Sequence, residues 1–108
     1  MPLITPRQLR EHPELSGFSS FGVFVQERGK TVEPHFHDCD EWWIITRGRA
    51  LVASEGEEYE VKRGDMIFTP AGEEHEMTEV YQDLEGVYIE GPLVGKKRRG
   101  HLHHPEDD

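Results

Sequence analysis

The chain has 108 residues, which is enough for one domain with a modest core and too few for two. Its 22 acidic and 12 basic residues give a formal charge of −10, which argues against nucleic acid and anionic membranes as partners. The single cysteine, Cys39, excludes an internal disulfide, and no apolar run is long enough for a signal peptide or a membrane span. We therefore expect a globular, cytoplasmic protein.

The first predicted element is a short helix. Thr5 followed by Pro6 is typical of a helix N-cap with proline at the first helical position. We expect the helix over residues 6–12, ending before Pro13. It belongs to an N-terminal extension, residues 1–17, that precedes the main domain.

From Phe18 onward the pattern predicts short strands separated by turns. β-branched and aromatic residues alternate with clusters of glycine, proline and charged residues. We predict eight strands, at 18–27, 31–37, 42–46, 49–54, 59–62, 66–69, 75–80 and 84–89. Gly48 and Gly64 stand at predicted turns, where positive φ is expected. So many short strands indicate an all-β sandwich or barrel over residues 18–94.

The C-terminal segment has a different composition. Residues 95–108 contain the run Lys96, Lys97, Arg98 and Arg99 and three further histidines, without apolar periodicity. We interpret this segment as a charged tail appended to the barrel and assign no site to it.

The residues with the clearest chemical signal are three histidines and one glutamate. His35 and His37 are two positions apart, so on a strand their side chains point to the same face. Glu41 follows closely, and His75 lies in a second cluster. Imidazole nitrogen and carboxylate oxygen suit a divalent transition metal, with manganese, iron, nickel, zinc and cobalt as the candidates. Calcium and magnesium are not first choices for these ligands, and the lack of sulfur ligands disfavours copper(I).

The spacing of these residues resembles the double motif of the cupins. The first motif, G(X)5HXH(X)3,4E(X)6G, and the second, G(X)5PXG(X)2H(X)3N, are matched except at the last position, where Glu79 replaces asparagine. The matching residues are Gly29, His35, His37, Glu41 and Gly48 in the first motif and Gly64, Pro70, Gly72 and His75 in the second.

The resemblance extends over residues 18–90 and is to small single-domain cupins of the RmlC-like jelly-roll superfamily. It implies an antiparallel jelly-roll β-barrel that holds one metal ion per chain through His35, His37, Glu41 and His75. One or two coordination positions would then remain open to water or substrate. Small cupins of this kind are usually homodimers, and Trp42, Ile44 and the apolar segment that begins at Phe18 would need such cover.

The residues beside the ligands leave alternatives open. Cys39 could be a fifth ligand, a redox-sensitive thiol or a small buried residue at the bend between ligands. Asp38 and Asp40 could support the ligand imidazoles or lie in solvent. Asp40 is also the alternative to Glu41 as the carboxylate ligand, because the register near the bend is uncertain by one residue.

Strand alternation predicts which residues line a cavity beside the metal. Counting in twos from Glu41 turns Trp42 and Ile44 to the opposite face. Met77 should face inward together with His75, and Met66 should share a face with Phe68. The predicted lining of a pocket for a small organic molecule is therefore Trp43, Ile45, Met66, Phe68 and Met77.

Three functions agree with these residues. The first is a metal-dependent enzyme that acts on a small oxygenated molecule by dioxygenase, decarboxylase or isomerase chemistry, and the complete ligand set favours it. Its catalytic residues cannot be assigned from the spacing, although Glu79 or an aspartate beside the cavity is a candidate base. The second is a non-catalytic module that binds a small ligand. The third, a storage or structural role, is disfavoured by the short single copy.

Overall fold

We analysed the protein in a computed structural model, which describes residues 3–93 and Leu102. Apart from Leu102, the predicted tail at 95–108 lies outside the described residues. The N-terminal extension contains helix α1, Pro6–Glu11, followed by one turn of 3-10 helix at Pro13–Leu15. Six strands follow: β1 (Ser20–Gln26), β2 (Val32–His35), β3 (Glu41–Ser54), β4 (Glu57–Lys62), β5 (Met66–Thr69) and β6 (His75–Glu90).

The short helix forms where the sequence predicts it, and its cap has a clear cause. The Thr5 hydroxyl accepts a hydrogen bond from the Gln8 amide, while the Gln8 side chain accepts one from the Thr5 amide. This reciprocal pair satisfies two amides that a helix start otherwise leaves open. Leu9 is the buried residue of the helix and anchors it to the domain. No helix within residues 3–93 is long and apolar enough to cross a membrane.

All strand pairs are antiparallel, which confirms the all-β class, but the eight predicted strands are six. The segments 42–46 and 49–54 are one strand, β3, and the segments 75–80 and 84–89 are one strand, β6. The predicted turn at Gly48 is instead an irregularity within β3, where the register with β6 shifts on both sides of Arg47. A bulge and a turn use the same residue types, so composition alone did not separate them.

Gly48 shows why this irregularity needs glycine. Its φ is +90°, and a Cβ atom at this position would lie 2.1 Å from the carbonyl oxygen of Asp83 on β6. No other residue can bring the backbones of β3 and β6 so close. Gly64 also has the expected positive φ, of +93°.

The bulges divide the sheet into two four-stranded halves. In the first half, β1 and β5 flank the paired segments 41–45 of β3 and 84–90 of β6. In the second half, β2 and β4 flank the segments 49–54 of β3 and 75–82 of β6. The inner faces of the halves meet in a core that unites Ile45 with Val52, Val61 and Met77.

The outer face of the first half is also apolar. The strand register aligns two cross-strand rows on this surface, which we call the outer apolar face. Val23 is 80% exposed and Phe68 is 51% exposed, although both are large apolar residues. The rows are Phe21, Ile89, Trp42 and Phe68, and Val23, Val87, Ile44 and Met66.

Candidate metal centre

Strands β2 and β6 bring the histidines of the two sequence motifs together. His35, the last residue of β2, is the register partner of His75, and His37 lies two residues beyond the strand in the same cluster. All three side chains are buried. Each imidazole offers one ligand nitrogen, and these nitrogens all lie within 4.8 Å of one another. This spacing fits donors arranged around one metal ion.

Two of the imidazoles are oriented by backbone carbonyl groups. Nδ1 of His35 lies 2.7 Å from the carbonyl oxygen of Glu33, and Nδ1 of His75 lies 3.2 Å from that of Glu73. A ring nitrogen that faces a carbonyl oxygen carries the hydrogen of the neutral imidazole, so the lone pair is on Nε2. Both rings are therefore held in the tautomer that can coordinate a metal through Nε2.

Glu41, the first residue of β3, places its carboxylate beside this cluster. Its Oε1 atom lies 3.7 Å from Nδ1 of His37 and 3.7 Å from Nε2 of His75, which is too far for hydrogen bonds. This buried oxygen has no hydrogen-bond partner among the described residues. A buried anionic oxygen is costly in this state, and a cation beside the imidazoles would relieve that cost.

The environment of Glu41 changes its protonation. The pKa of its carboxyl is raised from 4.5 to about 7, chiefly by burial and also by the Glu90 carboxylate, against a hydrogen bond from Trp43 that lowers it. Glu90 acts strongly because it is the register partner of Glu41 on the neighbouring strand. Glu41 therefore lies beside the cluster of three imidazoles, where a bound metal ion would favour the ionised form of its carboxyl.

The alternative carboxylate, Asp40, has a different position. Its Oδ1 atom accepts a hydrogen bond of 2.9 Å from the Ala71 amide, which ties the loop before β3 to the loop before β6. Asp40 is not part of the cavity lining described next, whereas Glu41 is. Cys39 is buried, and its Sγ atom donates to Oε2 of Glu90 at 3.5 Å.

A cavity of about 390 Å³ opens beside these residues, between β1 and β2. We call it the first cavity. Of the five residues predicted to line it, Trp43 and Met77 do so. Ile45 lies in the hydrophobic core instead, because it is farther along β3 than the cavity reaches. Met66 and Phe68 do not line it either, because they pair with Ile44 and Trp42 on the side of the outer apolar face, and they border a separate cavity between β4 and β5 instead.

Sequence reasoning missed several cavity residues. Phe24, Tyr88 and Glu90 line the first cavity together with Asp38 and Cys39. On β6, His75 and Met77 face inward at odd positions, but Tyr88 and Glu90 do so at even ones, because the register shifts in between. On β1 both faces are apolar, so alternation gave no signal for Phe24. Glu79, a candidate base, is exposed and pairs with Leu51, so it is outside the cavity.

Comparison with known proteins identifies relatives of this chain. The chain is 40% identical over 79 residues to the uncharacterized protein y4oW of Sinorhizobium fredii. That match covers 69% of this chain but only 37% of y4oW, so the chain spans about a third of that relative's length.

Two solved structures share the fold. A predicted oxalate decarboxylase from Thermotoga maritima superposes with a TM-score of 0.66 at 25% identity, over 76% of this chain and 72% of that one. The DMSP lyase DddQ from Ruegeria pomeroyi superposes with a TM-score of 0.69 at 22% identity, over 81% of this chain and 44% of that one. These likenesses confirm the jelly-roll barrel. Residues 22–89, which include both histidine motifs, match the cupin domain family. The chain therefore belongs to the cupin domain family.

Proposed function

We propose that this chain binds one divalent transition-metal ion and uses it as an enzyme on a small oxygenated organic molecule. The observation that carries the proposal is the cluster of three buried histidine donors within 4.8 Å of one another, at the edge of a cavity of about 390 Å³. His35, His37 and His75 would supply the nitrogens, and Glu41 the carboxylate oxygen. Manganese, iron, nickel, zinc and cobalt are the candidate ions for this donor set.

The position of the donors supports a reactive site over a structural one. Four protein ligands leave one or two coordination positions of the ion open, and the first cavity provides space beside them. When bound, the ion supplies a Lewis acid that polarises a substrate oxygen. The aromatic rings of Phe24, Trp43 and Tyr88 offer apolar contact area for the rest of the substrate. Dioxygenase, decarboxylase and isomerase chemistry can each use a metal ion that has an open coordination position beside a substrate cavity.

The names of two structural neighbours, DMSP lyase and predicted oxalate decarboxylase, support a small organic substrate. A cavity of this volume holds molecules of that size. The charged groups described in it are the carboxylates of Asp38, Glu41 and Glu90, so the ion would bring the positive charge needed to hold a substrate oxygen.

Elemental analysis tests the metal site. We expect about one transition ion per chain in protein prepared without chelators, and a large loss of metal in the double variant His35→Ala, His75→Ala, because its two backbone-oriented ligands are gone. His12→Ala is the matched control, since His12 is exposed and outside the cluster. Full metal occupancy in the double variant would refute the assignment.

Turnover distinguishes the enzyme from its alternative, a non-catalytic module for small ligands. Metal-loaded and metal-stripped protein are compared for oxygen uptake and product formation with a panel of diketones, keto acids, phenols and sugars. The enzyme proposal expects turnover that depends on the metal. Tight binding of one compound without turnover would instead identify the binding module.

We also propose that the chain forms a homodimer through the outer apolar face. The support is the alignment of eight apolar residues in two rows across four strands, with Val23 and Phe68 largely exposed. Patches of this kind mark protein interfaces, and the identical face of a second copy is a surface of matching chemistry. A dimer of this form leaves the first cavity open, because the cavity lies on the inner side of the same strands.

A further inference from the structure

A second cavity, of about 380 Å³, lies on the opposite open side of the barrel, between β4 and β5. Val61 of β4 and Ile67 of β5 form part of its lining. His75 also borders it, whereas His35, His37 and Glu41 border the first cavity. The candidate metal centre therefore lies between two cavities.

Trp43 is the residue that separates them. It is the only described residue that lines both cavities. The strand register explains this position, because Trp43 is the register partner of Tyr88 on one side and of Ile67 on the other. Tyr88 lines the first cavity and Ile67 the second, so the indole of Trp43 lies in the middle of this inner row.

The indole is held in this position by its neighbours. Its ring centroid lies 5.2 Å from that of Phe24 and 6.0 Å from that of His75. At the far end of the row, Gly22 leaves room for Tyr88, since a Cβ atom there would lie 2.7 Å from the Tyr88 hydroxyl. The row is thus packed tightly enough for Trp43 to act as a fixed wall.

We propose that Trp43 determines substrate size, because it confines ligands of the metal to the first cavity and closes the second cavity to them. This inference rests on the proposed metal site. A smaller residue at position 43 would join the two cavities and admit a ligand with a second ring. Trp43 also donates a hydrogen bond to Glu41, so the test must separate the wall from the donor.

Two azole probes measure the effect on the cobalt-loaded protein. Imidazole fits the open coordination position, and 4-phenylimidazole adds a ring that needs further apolar space. Trp43→Ala should lower the dissociation constant of 4-phenylimidazole relative to that of imidazole by about tenfold or more, as burial of a phenyl ring predicts. Trp43→Phe removes the N–H donor but keeps a ring, so it should leave this ratio nearly unchanged. Spectra of the cobalt ion report the binding, and the cobalt content of each variant is measured first.

A second substitution tests whether the phenyl ring of 4-phenylimidazole enters the second cavity. Ile67 is the inward register partner of Trp43 and lines that cavity and not the first, so Ile67→Trp in the Trp43→Ala background should fill the space and restore the wild-type ratio. A ratio that stays at the wild-type value in Trp43→Ala, or that Ile67→Trp does not reverse, would overturn the proposal. If Trp43→Ala does not fold, Trp43→Leu opens a narrower passage and is judged by the same ratio.

A metal-free measurement separates failure of this inference from failure of the metal assignment. Joined cavities offer more apolar contact to naphthalene than the first cavity alone, so naphthalene should raise the Tm of metal-free Trp43→Ala by more than that of the metal-free wild type. If the wild type takes up no cobalt, the metal assignment fails and this shift alone decides whether Trp43 separates the cavities. A shift in Trp43→Ala that does not exceed that of the wild type would refute the separation.

Discussion

The Glu41 carboxylate has the surroundings expected of a metal ligand. Its carboxylate is buried, lies 3.7 Å from two imidazoles and faces a second carboxylate, Glu90, on the neighbouring strand. In the absence of a cation, folding must either protonate this group or bury its charge. The pKa of Glu41 is raised because burying its charged form is costly, and this shift makes the stability of the metal-free protein depend on pH.

The pH dependence of unfolding follows from this pKa. In the folded protein the pKa of Glu41 is about 7, against 4.5 for an ordinary glutamate, so between these values the folded state keeps a proton that the unfolded state releases. The contribution of Glu41 to stability is therefore present at low pH and falls as the pH rises through this window. Across the window, metal-free wild type should lose about 3 kcal/mol relative to Glu41→Gln, which has no charge to bury.

The measurement is urea denaturation of both metal-free proteins from about pH 4 to about pH 8, where the variant serves as the control for titration of the histidines. A difference in unfolding free energy that stays constant over this range would contradict the raised pKa. Saturating metal should reduce the pH dependence of the wild type, because the ion holds Glu41 ionised in the folded state.

At the scale of elements, the bulged strand β3 determines the geometry of the site. It begins at Glu41 in the first half of the barrel and ends at Ser54 in the second, where Ser54 pairs with His75. The strand can pass between the halves because Gly48 permits the close approach to Asp83. An error at this bulge would move Glu41 relative to the histidine cluster.

Replacing Gly48 by alanine should therefore destabilise the protein by about 2–5 kcal/mol, from the sum of backbone strain at positive φ and steric overlap. Gly64→Ala is the matched control. Gly64 has nearly the same φ, +93° against +90°, but nothing lies within 4 Å of its added Cβ atom. That variant should lose only the strain, about 1–3 kcal/mol.

Urea denaturation of both glycine variants checks this difference, and metal titration checks its consequence for the site. We expect weaker metal binding in Gly48→Ala than in Gly64→Ala, since only the former perturbs the strand that carries Glu41. Equal losses of stability in the two variants would contradict the role assigned to the contact with Asp83.

At the scale of the whole molecule, the barrel has apolar residues on both faces of its first half. The inner face contributes Trp43, Ile45 and Tyr88 to the core and the first cavity. The outer apolar face has no layer of the described chain over Val23 or Phe68. A half-sheet that is apolar on both faces needs a second layer, and a second copy of the chain can provide it.

Light scattering tests the dimer at micromolar protein concentration. We expect the wild type to have twice the mass of one chain and Phe68→Lys to dissociate, because the substitution places two like charges in a symmetric interface. Glu58→Gln makes the same change in charge at an exposed position on β4 and should remain a dimer. A monomeric wild type would refute the proposed homodimer.

Much of the site was predictable because its signals are local. The spacing of His35 and His37 predicts a shared strand face, and the two side chains do lie in one cluster, although β2 ends at His35. Thr5 and Pro6 indicate a helix start, and Gly64 indicates positive φ; the structure agrees at both positions. The cupin motifs add the fold, which the family match confirms. These features depend on neighbouring residues and on backbone sterics, and such information lies within a few positions of the chain.

Tertiary structure alone decided which residues meet across the barrel. Tyr88 and Glu90 line the first cavity, although counting in twos from His75 turns them outward, because bulges change the inward side along β6. Met66 was predicted in the pocket beside the metal and borders the second cavity instead of the first, because its pairing with Ile44 fixes its side. The sequence by itself thus determined the all-β class, the family and the residues of the candidate ligand set. Only cross-strand register, which depends on contacts between distant segments, decided which walls surround that set and that Trp43 lies between two cavities.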